Sequence, residues 1–156
     1  MSSSLKVGVA GVGYLGQHHA RIYSTLPEVE LVGVYDANRG RAEEIAAAHK
    51  TKAFSNLADL ARECEAMNVV VPTDKHAEVS IPLLEAGCHL LIEKPLCVSL
   101  EEAQAIVSTA QKHKRLVQVG HIEHFNPVIG HLEKVLNNPR YITSERLGPF
   151  TPRGAE

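Results

Sequence analysis

A glycine-rich hexapeptide near the N-terminus constrains the fold of this chain more than any other feature. Its residues, Gly11-Val12-Gly13-Tyr14-Leu15-Gly16, follow the apolar run Val7–Ala10 and precede a segment of helical periodicity. A lone GxGxxG pattern is weak evidence, but one that leaves a strand and opens a helix is typical of a dinucleotide-binding turn. The context therefore predicts a strand–turn–helix unit with a ligand at the turn, and a ligand-free turn is the alternative.

Each position of the hexapeptide has a physical role in that prediction. Gly11 permits the tight turn, Gly13 lets the backbone approach a pyrophosphate, and Gly16 allows the helix to pack close to the strand. The N–H groups around Tyr14 and Leu15 would face the negative charge, aided by the helix dipole.

An acidic residue stands where a ribose would lie. Asp36 comes twenty residues after Gly16, at the end of the second predicted strand. A carboxylate there accepts both ribose hydroxyls and repels a 2′-phosphate, which favours NAD over NADP. Asn38 could assist in binding the ribose, or it could be a turn residue. Arg39 and Arg41 could weaken the preference for NAD by contacting a phosphate. Asp36 could instead be a turn or cap residue.

Strand and helix patterns alternate along almost the whole chain, which predicts an α/β fold with a doubly wound, mostly parallel sheet. The predicted strands are Leu5–Ala10, Glu30–Tyr35, Lys52–Phe54, Asn68–Val71, Cys88–Ile92, Leu116–Gly120 and Tyr141–Leu147. The predicted helices are Tyr14–Leu26, Arg41–His49, Asn56–Arg62, His76–Ala86, Leu100–His113 and one that begins at Pro127. In the first helix, the stripe of Leu15, His19, Ile22 and Leu26 is expected to pack on the sheet.

A second motif, Glu93-Lys94-Pro95, follows the apolar run Leu90–Ile92. Lys94 therefore lies just past the end of a predicted strand, where Pro95 restricts the backbone and can aim the lysine into the cleft. A lysine there can bind a substrate hydroxyl and share its proton as hydride leaves, while Glu93 orients Lys94 or hydrogen-bonds to the cofactor. A surface ion pair in a loop is the alternative interpretation.

Other polar residues follow strands at the same predicted edge of the sheet. Thr73 and His76 come after the fourth strand and are candidate cofactor contacts, although a capping role for His76 is equally open. His121 and Asn126 follow the sixth strand and are candidate substrate contacts. His19 lies on an apolar stripe, which favours a core histidine. No spacing is typical of a metal site.

Composition excludes several classes of function. The chain has 156 residues, of which 44% are hydrophobic and 22% charged, as is usual for a globular domain. Its net charge of −2 gives no excess of positive charge for binding nucleic acid or an anionic membrane. No apolar run approaches the roughly 18 residues of a membrane span, and the N-terminus lacks the features of a signal peptide. Three cysteines without a CxxC pair favour a reducing compartment. We expect a cytoplasmic protein without nucleic-acid or membrane partners.

The motifs together resemble the glucose-fructose oxidoreductase / inositol dehydrogenase / rhizopine-catabolism family. The resemblance rests on the glycine loop, on Pro72-Thr73 with His76, and on Glu93-Lys94-Pro95, and it covers nearly the whole chain. The last third, with Gln118–Pro127 and then Glu145–Arg153, resembles the branch that acts on UDP-N-acetylglucosamine.

The resemblance implies a Rossmann domain of an NAD-dependent dehydrogenase. Enzymes of that branch oxidise the sugar 3-hydroxyl to a ketone with NAD, ahead of a transaminase, and so feed 3-amino sugars into lipid A or other surface glycans. Lys94 would bind the reacting hydroxyl and take part in proton transfer. The residues implied to serve the cofactor are Gly11, Gly13, Gly16, Asp36 and Glu93. His124 stands where the pattern of that branch has arginine.

On this interpretation, residues 1–126 form the dinucleotide-binding domain. Residues 127–156 form a linker helix and the first strand, Tyr141–Leu147, of a substrate domain that is otherwise missing. The second domain of the family carries an aspartate and a histidine that complete the proton relay. We therefore expect the chain to bind NAD but to turn over a UDP-sugar poorly, with the unpaired strand disordered, swapped or aggregation-prone. The full-length form is expected to be a homo-oligomer.

Three alternatives remain open at this point. The family assignment also accommodates a dehydrogenase for another sugar or for inositol. The chain could be a stand-alone module that senses NAD without chemistry, which would leave Lys94 without a function. Methyltransferases also use a glycine loop and a ribose acid, but Glu93-Lys94-Pro95 has no evident role in them.

Overall fold

The computed structural model describes residues 4–145 and 147, and strands and helices alternate along them. The strands are β1 (Leu5–Ala10), β2 (Val29–Tyr35), β3 (Lys52–Ala53), β4 (Ala66–Val69), β5 (His89–Ile92) and β6 (Val117–Val119). The helices are α1 (Gly16–Tyr23), α2 (Arg39–His49), α3 (Leu57–Glu63), α4 (His76–Glu85), α5 (Leu100–His113) and α6 (Pro127–Val135). Short 3-10 turns span Thr73–Lys75 and Ile122–Phe125.

The strands form one sheet in the order β3-β2-β1-β4-β5-β6, and each neighbouring pair is parallel. The chain adds strands first on one side of β1 and then on the other, so the order reverses between β1 and β4. This confirms the predicted doubly wound sheet. In such sheets ligands bind at the carboxyl ends of the strands beside the reversal, which is where β1 leads into the glycine loop.

Apolar side chains from both faces of the sheet are buried against helices. On one face the sheet packs against α3, α4 and α5, and on the other against α1 and α2. The largest fully buried side chains are Leu60, Met67, Leu83, Leu84, Ile92 and Ile106. Because most of β1 and β4 is buried, the ends of these two central strands are held rigidly in register.

The first helix is shorter than predicted, and it packs through a different face. Leu15, Ile22 and Leu26 were expected to contact the sheet, but they are 47%, 46% and 39% exposed. The buried residues of α1 are Gly16 and Ala20. Small residues let the helix axis approach β1 closely, so the apolar stripe is turned outward.

The chain divides after His121 into two compact units. In the second unit, Asn126 caps α6 by accepting a hydrogen bond from the backbone N–H of Val128, with Pro127 in the first turn as predicted. The strand predicted over Tyr141–Leu147 is wrong for the described residues, because positions 141–145 and 147 have no strand structure. A strand needs a paired neighbour, and the described residues supply none there.

Part of the motif Glu145–Arg153 lies outside the described residues, namely position 146 and positions 148–153. The predicted division into domains at residue 126 therefore stays a prediction. Among the residues that the structure describes, no helix is both long and apolar enough to cross a membrane.

Candidate functional site

The glycine loop between β1 and α1 contains two glycines that the fold itself requires. Gly11 has a φ of +86°, and a Cβ there would lie 2.5 Å from the carbonyl oxygen of Val70. A Cβ on Gly16 would overlap the carbonyl oxygen of Gly11, so only glycine allows α1 to start this close to the loop.

Gly13 differs from the other two glycines. A Cβ built on it meets no protein atom within 4 Å, so nothing in the fold demands glycine there. The space beside Gly13 is a cradle that a side chain would fill. That is the arrangement expected where the backbone must come close to a phosphate group.

Asp36 follows β2 directly and organises the loop as well as the cleft. Its Oδ2 accepts the backbone N–H of Val12 over 2.8 Å, and its Oδ1 accepts the N–H of Asn38 over 2.8 Å. Each carboxylate oxygen has a second acceptor site, so the side chain can also receive ribose hydroxyls. Asn38 itself caps α2 by accepting the N–H of Arg41.

Arg41 braces the glycine loop, a role that the sequence did not indicate. Its Nε donates to the carbonyl oxygen of Val12 over 2.9 Å, and its Nη2 donates to Oε1 of Gln17 over 3.0 Å. Its Nη1 forms an ion pair with Glu44 over 2.8 Å. One planar guanidinium thus ties α2 to the loop and to the first turn of α1.

Replacing Arg41 with methionine is expected to weaken NAD binding about tenfold, equivalent to about 1.4 kcal/mol, because the loop loses two charge-assisted hydrogen bonds. Isothermal titration calorimetry measures the change. Arg39→Met is the matched control: Arg39 is exposed and pairs only with Glu43 among the contacts described. Equal NAD affinity in the two variants would contradict the bracing role.

A cleft of about 380 Å³ opens at this edge of the sheet. Gly11, Gly13 and Asp36 line it together with Val71 and Lys75, so three of the predicted cofactor residues share one cavity. Of the loop residues, Tyr14 and Leu15 have exposed side chains. The cleft lies at the point where the strand order reverses.

Lys94 lies two strands away, just beyond the end of β5, with an exposed side chain. Neighbouring strands are about 4.8 Å apart, so the ends of β1 and β5 are separated by about 10 Å, a span that one dinucleotide bridges. Glu93 does not pair with the Lys94 ammonium among the described contacts. Its Oε2 instead accepts the backbone N–H of Lys94 over 3.0 Å.

The predicted cofactor contacts after β4 have different surroundings. His76 is buried, and its Nε2 lies 2.9 Å from the carbonyl oxygen of Val71. Its Nδ1 lies 3.0 Å and 3.1 Å from the carbonyl oxygens of Pro95 and Leu96. The ring therefore connects the loops after β4 and β5, and its contact with a cofactor stays a prediction. Thr73 is half-buried and begins the 3-10 turn before α4.

The two candidate substrate contacts are placed in different units of the chain. His121 is exposed at the end of the first unit, and its backbone N–H donates to the carbonyl oxygen of Val119. Asn126 belongs to the second unit, where its amide donates to Glu123 in addition to capping α6. Their role toward a substrate stays a prediction.

The structure adds a chain of polar side chains that sequence reasoning did not find. The Tyr23 hydroxyl donates to Oδ1 of Asn68 over 2.7 Å, and Nδ2 of Asn68 lies 2.6 Å from Nδ1 of His19. Nε2 of His19 lies 3.3 Å from Oε1 of Glu93. His19 is thus a partly buried histidine with a partner at each ring nitrogen, which agrees with the structural role that its place on the apolar stripe favoured. Burial lowers its pKa, against the opposing effect of Glu93.

Comparison with known proteins decides the family. Residues 5–121 match the model of an oxidoreductase family with an NAD-binding Rossmann fold, the family that contains glucose-fructose oxidoreductase and inositol dehydrogenase. This chain belongs to that family. The match spans both the glycine loop and Lys94, so the two halves of the candidate site lie inside it.

Individual relatives agree with this assignment. The chain is 39% identical over 153 residues to UDP-N-acetylglucosamine 3-dehydrogenase of Acidithiobacillus ferrooxidans, covering 97% of this chain and 48% of that protein. A solved structure of the same enzyme superposes with a TM-score of 0.90, covering 97% of this chain and 50% of that one. Glucose-6-phosphate 3-dehydrogenase of Bacillus subtilis is 37% identical over 107 residues, 69% of this chain and 31% of that protein.

Inositol 2-dehydrogenase of Corynebacterium glutamicum is 34% identical over 143 residues, covering 88% of this chain and 42% of that protein. The chain thus spans about half or less of the length of these curated relatives. What it contains is their NAD-binding Rossmann domain.

Proposed function

We propose that this chain is the cofactor-binding half of an NAD-dependent dehydrogenase that oxidises the 3-hydroxyl of a UDP-N-acetylhexosamine, with UDP-N-acetylglucosamine as the favoured substrate. One observation carries the proposal: Lys94 follows β5 at the same sheet edge as the glycine cleft, two strands from β1 in the sheet order. The usual strand spacing makes this separation about 10 Å. A pyrophosphate at Gly13 would then direct the nicotinamide half toward Lys94.

The cofactor of the proposal is NAD rather than NADP. The residues present fit the group, since Gly13 leaves a cradle and Asp36 carries a carboxylate at the ribose end of the same cleft. When bound, NAD supplies the hydride acceptor. The chain supplies the loop that holds the pyrophosphate and the carboxylate that accepts ribose hydroxyls and repels a 2′-phosphate.

Asp36→Asn is expected to lower the preference for NAD over NADP at least about tenfold, because the charge that repels the 2′-phosphate is lost. The preference is the ratio of the two dissociation constants from calorimetry. The ratio is the informative quantity because Asp36 also holds the backbone of Val12 and Asn38. Damage to the loop weakens both cofactors and cancels in the ratio. An unchanged ratio would show that Asp36 only shapes the turn.

Lys94 is the proposed catalytic residue. In its neutral form, the amine would accept the proton of the reacting hydroxyl as hydride leaves the sugar carbon for NAD, and the resulting ammonium would donate a hydrogen bond to the new carbonyl oxygen. The backbone of Lys94 is fixed by the carboxylate of Glu93, so the side chain leaves the sheet edge from a defined point. Among the described residues, no cluster of three or more His, Cys, Asp or Glu side chains could hold a metal.

The choice of sugar is supported by the relative from Acidithiobacillus ferrooxidans, whose likeness extends over 97% of the chain. The 3-keto product of such a reaction is a substrate for amino transfer, which fits a role in making 3-amino sugars for lipid A or other surface glycans. We further propose that the enzyme works in the cytoplasm, where UDP-sugars and NAD occur together, and as a homo-oligomer in its longer form.

Two experiments test the proposal in order. Calorimetry first measures NAD binding by the 156-residue chain, and no binding would end the proposal. The chain is then joined to the part of the Acidithiobacillus ferrooxidans enzyme beyond the matched segment, and reduction of NAD is followed with UDP-N-acetylglucosamine, glucose 6-phosphate and myo-inositol. Activity with the UDP-sugar supports the proposal. NAD binding without turnover, beside an active parent enzyme, would favour a non-catalytic NAD-binding module.

A further inference from the structure

We propose that His19 is a positioning residue, which in its neutral form, protonated on Nε2, fixes the Glu93 carboxylate and through it the backbone of Lys94. The inference rests on the proposed function of Lys94 and deepens it. Glu93 could either orient Lys94 or hydrogen-bond to the cofactor, and the inference gives it the first of these roles.

The direction of each hydrogen bond in this series of side chains follows from the Glu93 carboxylate at one end of it. An ionised carboxylate only accepts, so Nε2 of His19 carries the proton shared with Oε1 of Glu93. The opposite nitrogen of a neutral ring must then accept, and it receives the Asn68 amide N–H over 2.6 Å. Asn68 in turn accepts from Tyr23 through its oxygen. Every group in the series has one consistent role.

Burial supports the neutral ring. The side chains of His19 and Glu93 are only 21% and 12% exposed. Desolvation lowers the pKa of His19 below its ordinary value of 6.5, the neighbouring His18 lowers it further, and Glu93 opposes both. Burial also raises the pKa of Tyr23, so its hydroxyl keeps the proton that it donates to Asn68.

The Glu93 carboxylate is held on three sides. Oε1 faces His19, Oε2 accepts the N–H of Lys94, and a Cβ on Gly120 would lie 2.9 Å from Oε1. The glycine at the end of β6 thus leaves the room that the carboxylate occupies. With Oε1 beside His19, Oε2 bonded to the Lys94 N–H and one side closed by Gly120, the carboxylate has a fixed position against the peptide that carries Lys94.

Nuclear magnetic resonance of the isotope-labelled 156-residue chain, without NAD, tests the arrangement directly. Long-range ¹H–¹⁵N correlations at neutral pH are expected to show His19 protonated on Nε2 alone, because its pKa is lowered by burial. In His19→Leu, hydrogen exchange at the Lys94 amide should accelerate at least about tenfold, while the amides of β1 keep their protection. His19→Gln retains a donor near Nε2 and should restore slow exchange.

His18→Leu is the matched control, since the exposed neighbouring histidine makes its described contact with the Tyr14 ring and not with Glu93. It should leave exchange at Lys94 unchanged. A ring protonated on Nδ1, or unchanged exchange at Lys94 in His19→Leu, would overturn the proposal.

NAD titrations of the same samples separate this proposal from the function on which it rests. Failure of the wild-type chain to bind NAD would remove the proposed function and leave the hydrogen-bond result standing. Binding that is unchanged in His19→Leu, together with faster exchange at Lys94, supports positioning. Weaker NAD binding with unchanged exchange would assign Glu93 to the cofactor and overturn the inference.

The lowered pKa of His19 also has a consequence for stability. The unfolded chain takes up a proton at His19 near pH 6.5, whereas the folded chain does so only at lower pH. The contribution of the neutral His19 ring to the free energy of unfolding is therefore fully present above pH 6.5. It is lost as the pH falls toward the pKa of His19 in the folded chain. Urea unfolding across this range should show a smaller loss of stability in His19→Gln than in the wild type. An equal loss in both would contradict a neutral His19.

Discussion

Gly13→Val is expected to weaken NAD binding at least about a hundredfold, or about 2.7 kcal/mol, while leaving the fold intact. A Cβ added at Gly13 meets no protein atom within 4 Å, and Gly13 is not among the glycines with a positive φ, so we expect the chain itself to accommodate the substitution. The same side chain would occupy the cradle into which a pyrophosphate must fit. Calorimetry measures the loss of binding, and circular dichroism with urea unfolding verifies the fold.

Two other glycines make this experiment decisive. In Gly16→Ala the new Cβ overlaps the carbonyl oxygen of Gly11, so stability itself should fall. In Gly130→Ala the new Cβ meets nothing within 4 Å and lies far from the loop in sequence, so neither binding nor stability should fall. Wild-type affinity in Gly13→Val would mean that the hexapeptide is a turn without a ligand, the alternative that the sequence left open.

Local sequence signals predicted much of this fold because the chemistry behind them is local. Ser99 accepts the N–H of Glu102 at the start of α5, and Asn126 accepts the N–H of Val128 at the start of α6, so both helices begin with a contact between residues two or three positions apart. Gly87 has a φ of +95° just past α4, a conformation that glycine adopts readily at the end of a helix. Alternation of such bounded helices with apolar strands was sufficient to predict the parallel, doubly wound sheet.

Sequence patterns failed where packing depends on the partner. The apolar stripe of α1 suggested burial of Leu15 and Ile22, yet contact with β1 requires the small residues Gly16 and Ala20, which carry almost no hydrophobic signal. Tyr141–Leu147 has the composition of a strand, but a segment of that composition becomes a strand only when a second strand pairs with it. In both cases the local sequence does not show which part of the protein the segment packs against or pairs with.

The polar contacts of the site were missed for a different reason. Asn68 is 49 residues from His19, and Arg41 is 29 residues from Val12. Only the order of strands in the sheet brings such pairs together, and no spacing rule describes them. The sequence predicted Asp36 and Lys94 as site residues because each lies within two residues of the end of a strand. It could not show that the Asp36 carboxylate holds the backbones of Val12 and Asn38, or that the Glu93 carboxylate holds the backbone of Lys94.

Lys94→Met, made in the joined protein described above, is expected to lower kcat by about a thousandfold, within the usual range for loss of a positioned acid–base group. NAD affinity should stay the same, because Lys94 does not line the glycine cleft. Lys112→Met is the matched control, since Lys112 is exposed in the last turn of α5. Equal turnover in the two variants would remove Lys94 from the chemistry.

Lys94→Arg separates proton transfer from simple charge. Arginine keeps the positive charge and can still donate a hydrogen bond, but it does not release a proton in proteins. If Lys94 shares the hydroxyl proton, Lys94→Arg should be nearly as slow as Lys94→Met; if Lys94 only binds the substrate, the arginine variant should recover most of the rate. Because Glu93 holds the backbone of residue 94 and not its side chain, either substitution leaves that anchor in place, and the difference between them reports on the proton alone.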